Sequence, residues 1–347
     1  MIGFLRLAGV TAAMARTIGA SILLISLGLI VLLSINPQAV SQTRSGFPKD
    51  STPAIVTAID SSASAARTRQ GPLRVSVDLV LVPVTVTDAF NHPQTNLSRE
   101  DFTIYESNQP QEIRYFSTED SPVSVGLLLD VSGSMREKID TEREAVEQFF
   151  RNANPEDDYF VITFNNKPQV LSDVTQSTAG IETELGLVQP SGSTALLDAV
   201  YLGVSKLRNA HYSRRALVII SDGADNASRY NLREIKNLIA ESDVMVYAVG
   251  IFGTSPFKAF EEVMGERWLR VMTDITGGRT TTVKDINKLP EECALLSREL
   301  RSQYLLGYQP SDKVTDGKWR KVKITVKDRS DTDQLRSHYR KGYYANP

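Results

Sequence analysis

The chain carries one cysteine in 347 residues, Cys293, so no intrachain disulfide braces it. Flanked by Leu289, Leu295 and Leu296 on a predicted helix, that thiol reads as a small core residue rather than a nucleophile. Three histidines, His92, His211 and His338, are widely spaced, which leaves little material for a zinc site or a histidine-based catalytic pair. Positive charge is not in surplus. Lys and Arg number 39 against 41 Asp and Glu, a net −2, without the basic excess that nucleic-acid binding uses. No Walker A loop, dinucleotide glycine fingerprint or Gly-x-Ser-x-Gly elbow is present.

What is present is an ordinary globular composition, 41% hydrophobic and 23% charged, long enough for two domains. Residues 1–41 differ from the rest: Arg6 and Arg16 are their only charged side chains, and an apolar run extends from Ile18 to Ile35. This reads as a signal peptide, with Ala39-Val40-Ser41 as its cleavage site, or as an uncleaved membrane anchor. Either way the arginines favour a cytoplasmic N-terminus and export of the remainder, to the periplasm or the cell exterior. Residues 42–72, rich in Ser, Thr, Ala and Arg, read as a flexible tether.

Residues 73–120 carry strand signals. Leu73 to Asp88 alternates at period two, Asn91-His92-Pro93 marks a turn, and 102–106 and 112–116 form two further strands joined by a hairpin loop at Ser107-Asn108-Gln109-Pro110. Residues 121–302 alternate strand and helix: strands over 123–129, 159–164, 216–220 and 244–249, and helical stripes at 145–150 and 196–207. A short helix over 268–275 is stopped by Gly277-Gly278, and a last one spans 286–300. This predicts a doubly wound, mostly parallel α/β sheet. Residues 303–347 return to strands at 304–308 and 319–327. In the latter, Val322, Ile324 and Val326 share the inner face and Lys321, Lys323 and Lys327 a solvated one. Tyr339, Tyr343 and Tyr344 read as packing aromatics. Each β flank is too small for its own core, so the two are expected to pair into one small all-β sandwich with the α/β domain inserted.

The chemistry gathers at strand ends. Asp130-Val131-Ser132-Gly133-Ser134 follows the apolar run 123–129, and alternation brings one carboxylate and two hydroxyls to one side. A second loop, Ser191-Gly192-Ser193-Thr194, opens the helix at 196–207, and Ser221-Asp222-Gly223 ends the strand at 216–220. Oxygen ligands without Cys or His suit a hard cation such as Mg²⁺, Mn²⁺ or Ca²⁺. The residues alone also fit a plain strand-end turn. In an open α/β sheet such loops meet where the strand order reverses.

This set, Asp-x-Ser-x-Ser followed by a distant Thr and a distant Asp, resembles the metal-ion-dependent adhesion site (MIDAS) of von Willebrand factor A (VWA) domains. It matches Asp130, Ser132, Ser134, Thr194 and Asp222 within roughly Pro122 to Arg301. The flanking segments are similar to those of the VWFA-related proteins of acidobacteria. The resemblance implies that Ser132 and Ser134 ligate directly, that Asp130 and Asp222 ligate directly or through water, and that Thr194 joins or leaves with conformational state. It also implies Mg²⁺ as the leading ion, a partner protein presenting an acidic residue to the metal, and a last helix, 286–300, that shifts as the loops rearrange.

Two other readings stand beside this adhesion function: a structural envelope or assembly domain with a stabilising metal, and a metal-assisted hydrolase. Without catalytic motifs no enzyme is expected. Ser255-Pro256-Phe257-Lys258 fits Ser-x-x-Lys, but its proline argues for a loop. Asp225 and Asn226 read as a solvated loop, Asp198 as surface or as support for the site, and Asp157 and Asp158 as turn residues.

Overall fold

Period-two alternation at the start of the described residues becomes β1 (Val80–Thr87). The computed structural model describes residues 79–345 except 119, 253–259, 313–315 and 328–333. The expected leader (1–41), tether (42–72) and first strand residues (73–78), and Ser255-Pro256-Phe257-Lys258, lie outside the described residues. Among those described, no helix is long and apolar enough to cross a membrane.

After β1 come β2 (Phe102–Glu106), β3 (Gln109–Gln111) and β4 (Ile113–Ser117). The hairpin loop is tighter than expected. Ser107 and Asn108 take φ of 48° and 69°, the left-handed pair that closes a two-residue turn, and Glu106 faces Gln109 across it. The hairpin partner of β2 is therefore β3, while β4 crosses to the other sheet.

The central unit follows: β5 (Ser124–Asp130), α1 (Ile139–Arg151), β6 (Asp158–Phe164), β7 (Pro168–Thr175), α2 (Thr178–Gly186), α3 (Leu196–Leu207), β8 (Arg215–Ser221), α4 (Leu232–Ala240), β9 (Val244–Ile251), α5 (Phe260–Thr276), β10 (Thr280–Val283) and α6 (Leu289–Arg301). Its six strands lie in the order β10-β9-β8-β5-β6-β7, parallel except for the edge strand β7. Covered on both faces, β5, β6 and β9 are buried at every position, as their largely apolar sequences require. Side chains of β5 divide by alternation. Val125, Leu127 and Leu129 pack with α1, α2 and α6, while Leu128 packs with α3, α4 and α5. Helix α5 is longer than the expected short helix, and it stops at Gly277, whose φ of 87° is the left-handed C-cap conformation.

The chain then adds β11 (Tyr304–Tyr308), β12 (Trp319–Val326), β13 (Arg336–Tyr339) and β14 (Gly342–Tyr344). Strands from the two flanks interleave into antiparallel sheets ordered β13-β1-β11-β4 and β14-β12-β2-β3. Val82, Val84, Ile104, Leu306, Val322 and Ile324 make one core from both flanks. On β12, Val322 and Ile324 are buried and Lys321 and Lys323 exposed, as the alternation predicts. Tyr339 is buried, and Tyr344 stacks edge-on against Trp319.

Candidate metal centre

Strand β5 pairs with β6 on one side and β8 on the other, so chain order reverses there. The loops leaving the C-terminal ends of β5 and β8 open beside this point, as does the loop entering α3. Backbone hydrogen bonds fix them to one another. Gly133 N donates to Gly192 O at 3.0 Å, Ser191 N to Val131 O at 2.9 Å, and Asn226 N to Thr194 O at 3.0 Å. The loops between strands are thus joined into one hydrogen-bonded rim.

Ser132, Ser134, Thr194 and Asp222 line a single cavity of about 330 Å³ at this rim. Asp130 lies fully buried beneath it. Its carboxylate accepts from Ser132 N at 3.0 Å and from the Ser221 hydroxyl at 2.6 Å. The Ser132 and Ser134 hydroxyl oxygens are 3.0 Å apart. Burial, and then the charge of Asp222, push the Asp130 carboxyl up to about 6, only partly offset by the Ser221 and Ser132 hydrogen bonds. Two neighbouring carboxylates, with hydroxyls converging beside them, form a site short of positive charge. Its all-oxygen donor set fits a hard dication. Among the described residues no three His, Cys, Asp or Glu side chains group closely enough to hold an ion by themselves, so hydroxyls are required.

The same cavity has walls that the five-residue pattern does not contain: Lys138, Asn226, Ile251 and Glu262. The Lys138 ammonium stands 3.8 Å from Asp222. Asn226 Oδ1 accepts from Thr194 N at 2.9 Å and so orients the threonine. Asp225 is likewise more than a solvated loop residue: its carboxylate accepts from Leu197 N at 2.8 Å and from the Ser228 hydroxyl at 2.7 Å, seating the start of α3. Asp198, 5% exposed, accepts from Arg229 N and Tyr230 N and holds the loop after β8 from behind. Asp157 does sit in a turn, where it accepts from Val123 N and Asn154 N. Asn226 and Asp225 follow Asp222 closely enough to be suspected from sequence. Nothing in the sequence marks Lys138 or Glu262, whose placement depends on which loops meet.

None of the three histidines lines the cavity. Cys293 is buried in the α1–α6 layer and its thiol is pushed up by burial, as expected of a core residue. A larger groove, about 860 Å³, runs at the opposite ends of β5, β8 and β9 beside Leu81 and Leu305, and no candidate ligand reaches it.

The von Willebrand factor type A domain family matches residues 125–224, a span that holds all five candidate ligands. The chain carries a VWA domain. No curated protein matches the chain. Among solved structures it is similar to BatB from Bacteroides thetaiotaomicron, at 16% identity and a TM-score of 0.42, covering 52% of this chain and 100% of that one. It is similar to a von Willebrand factor type A protein from Catenulispora acidiphila at 13% identity and a TM-score of 0.46, covering 78% and 74%. Proximal thread matrix protein 1 of the mussel byssus, in a form whose MIDAS motif holds zinc, gives 15% identity and a TM-score of 0.43, covering 56% and 49%. These similarities are low, and the VWA domain rests instead on the family match and on the six-stranded sheet.

Proposed function

We propose that this VWA domain is an exported protein-binding module that captures an acidic residue of a partner protein through a divalent cation, with Mg²⁺ the leading candidate. The observation that carries this reading is the convergence of Ser132, Ser134, Thr194 and Asp222 on one open cavity above the buried Asp130. Two carboxylates balance a dication. Neutral hydroxyls add no further negative charge, so the bound ion keeps the Lewis acidity to take an outside carboxylate. The apolar segment 18–35 and the charge-poor leader support export, with the membrane reached only through that segment.

Capture from an envelope fraction tests this. A partner should be retained by the chain in Mg²⁺, released by chelator, and not retained by Ser134→Ala. Retention that ignores both chelator and the substitution contradicts the proposal. Loss of the fold in chelator, in place of loss of binding, favours a stabilising metal.

A further inference from the structure

Helix α1 buries Ile139, Glu142, Ala145, Val146, Phe149 and Phe150 along one stripe. Five of these are apolar and one is a carboxylic acid. Glu142 is 0% exposed, and neither of its side-chain oxygens has a hydrogen-bond partner. A buried, unpartnered carboxyl in an apolar stripe runs against both helix patterning and polar satisfaction, and such a group calls for a reason.

Its surroundings supply one. Burial, and then the negative charge of Asp130 at the end of β5, hold the Glu142 carboxyl well above its ordinary value, with Asp222 in the loop after β8 adding to it, so that a nearby cation is what would ionise it. On α6 Glu142 acts on Cys293, which is buried and uncharged. The two nearby cations, Lys138 and Arg143, belong to α1 and its first flanking residue and are engaged elsewhere. Lys138 faces Asp222 at 3.8 Å, and Arg143 donates to Asp140 and to the carbonyls of Leu185 and Val188. With no local partner, the positive charge that would suit Glu142 is a dication that Asp130 and Asp222 would hold.

We propose that Glu142 is a positioning residue of the metal centre: a third carboxylate, set behind Asp130 and out of reach of the ion itself, whose charge strengthens cation binding. This inference rests on the metal-binding reading above. It explains why a carboxylate occupies a stripe position that an apolar side chain would fill at lower cost, since a buried charge without compensation is unfavourable. Groups behind metal ligands tune affinity by roughly 10-fold to 100-fold when removed.

The test is calorimetric titration of the full chain with Mg²⁺ alone, on wild type and on Glu142→Gln, Glu142→Leu and Glu142→Asp. Glu142→Gln and Glu142→Leu should bind Mg²⁺ about 10-fold more weakly or worse. Neither should melt below wild type in chelator, and Glu142→Leu should melt above it. Glu142→Asp keeps the charge and should stay within a few-fold of wild-type affinity. Wild-type affinity in whichever neutral variant folds overturns the inference and leaves the metal-binding reading standing. So does an equal loss in Glu142→Asp, which would make shape rather than charge the cause. A wild-type chain that binds no Mg²⁺ overturns both.

Discussion

Asp130 and Ser134 are both candidate ligands, yet they hold different things besides an ion. Ser134 is exposed, and its hydroxyl meets Ser132. Asp130 is the acceptor for two buried donors, Ser132 N and the Ser221 hydroxyl, and so ties β5 to β8. Ser134→Ala should therefore weaken Mg²⁺ binding about 10-fold or more and leave the metal-free melting temperature unchanged. Asp130→Ala should change both. Stranding its donors costs about 1–3 kcal/mol, offset in part by relief of repulsion from Asp222. A shifted metal-free melting temperature in Ser134→Ala contradicts this division. His338 gives a pH dependence. Burial, and then Arg279, Lys341 and Arg336, hold its ring down at about 4. Between the ordinary value near 6.5 and about 4, the unfolded chain takes up a proton that the folded chain refuses. This residue's contribution is therefore complete above about pH 6.5 and is lost as pH falls toward 4, by roughly 3 kcal/mol. Urea unfolding of His338→Gln should lose less stability than wild type between about pH 6.5 and 4.5; equal losses would refute the assignment. At this scale the five candidate positions are legible, because strand-end oxygens at fixed spacing are a local pattern. Glu142 lies outside the stripe that the sequence shows at 145–150, and only the structure adds it to the buried face. Lys138 and Glu262 take meaning only once segments distant in sequence meet.

Helix α5 shows how an element hides. Gly265 interrupts it, and a mid-helix glycine argues against helix at the sequence level. In the fold that glycine is required by contact: a Cβ at Gly265 would lie 2.3 Å from the carbonyl carbon and oxygen of Gly223, the residue after Asp222. The backbone of α5 thus rests directly on the Asp222 loop, about one helical turn from Glu262 at the cavity wall. Gly265→Ala should cost about 1–3 kcal/mol by overpacking, although alanine favours helix by about 1 kcal/mol, and it should also weaken Mg²⁺ binding by moving Asp222. Thermal melting and Mg²⁺ titration of the variant check this, and a stabilised protein with normal affinity would contradict it. Other elements escaped for simpler reasons. β7 is an edge strand exposed on alternate and adjacent positions, and β10 has four residues, so neither leaves a period to read. α4 does carry a start signal, Asn231 capping Arg233 and Glu234 with Glu234 reaching back, which the sequence expectation leaves out.

For the molecule as a whole, the inserted architecture makes the β sandwich a product of both chain ends. β1 lies between β11 and β13, and β12 between β14 and β2, so each flank completes sheets begun by the other. The parity of inward and outward residues made this legible in Val84 and Ile324, but the pairing of particular strands is set by tertiary contact alone. A fragment of residues 73–120 should show no cooperative thermal transition, since it retains neither neighbour of β1; a cooperative transition would break the interleaved account. In the inserted domain, loops from β5, β8 and the start of α3 are proposed to surround one hard dication and leave a place for an acid from outside. Anomalous diffraction from crystals of the protein grown with Mn²⁺ tests this most directly. One peak is expected in the cavity above Asp130, within about 2.0–2.6 Å of the Ser132 and Ser134 hydroxyls; a peak elsewhere, or an empty cavity at saturating Mn²⁺, would refute this arrangement.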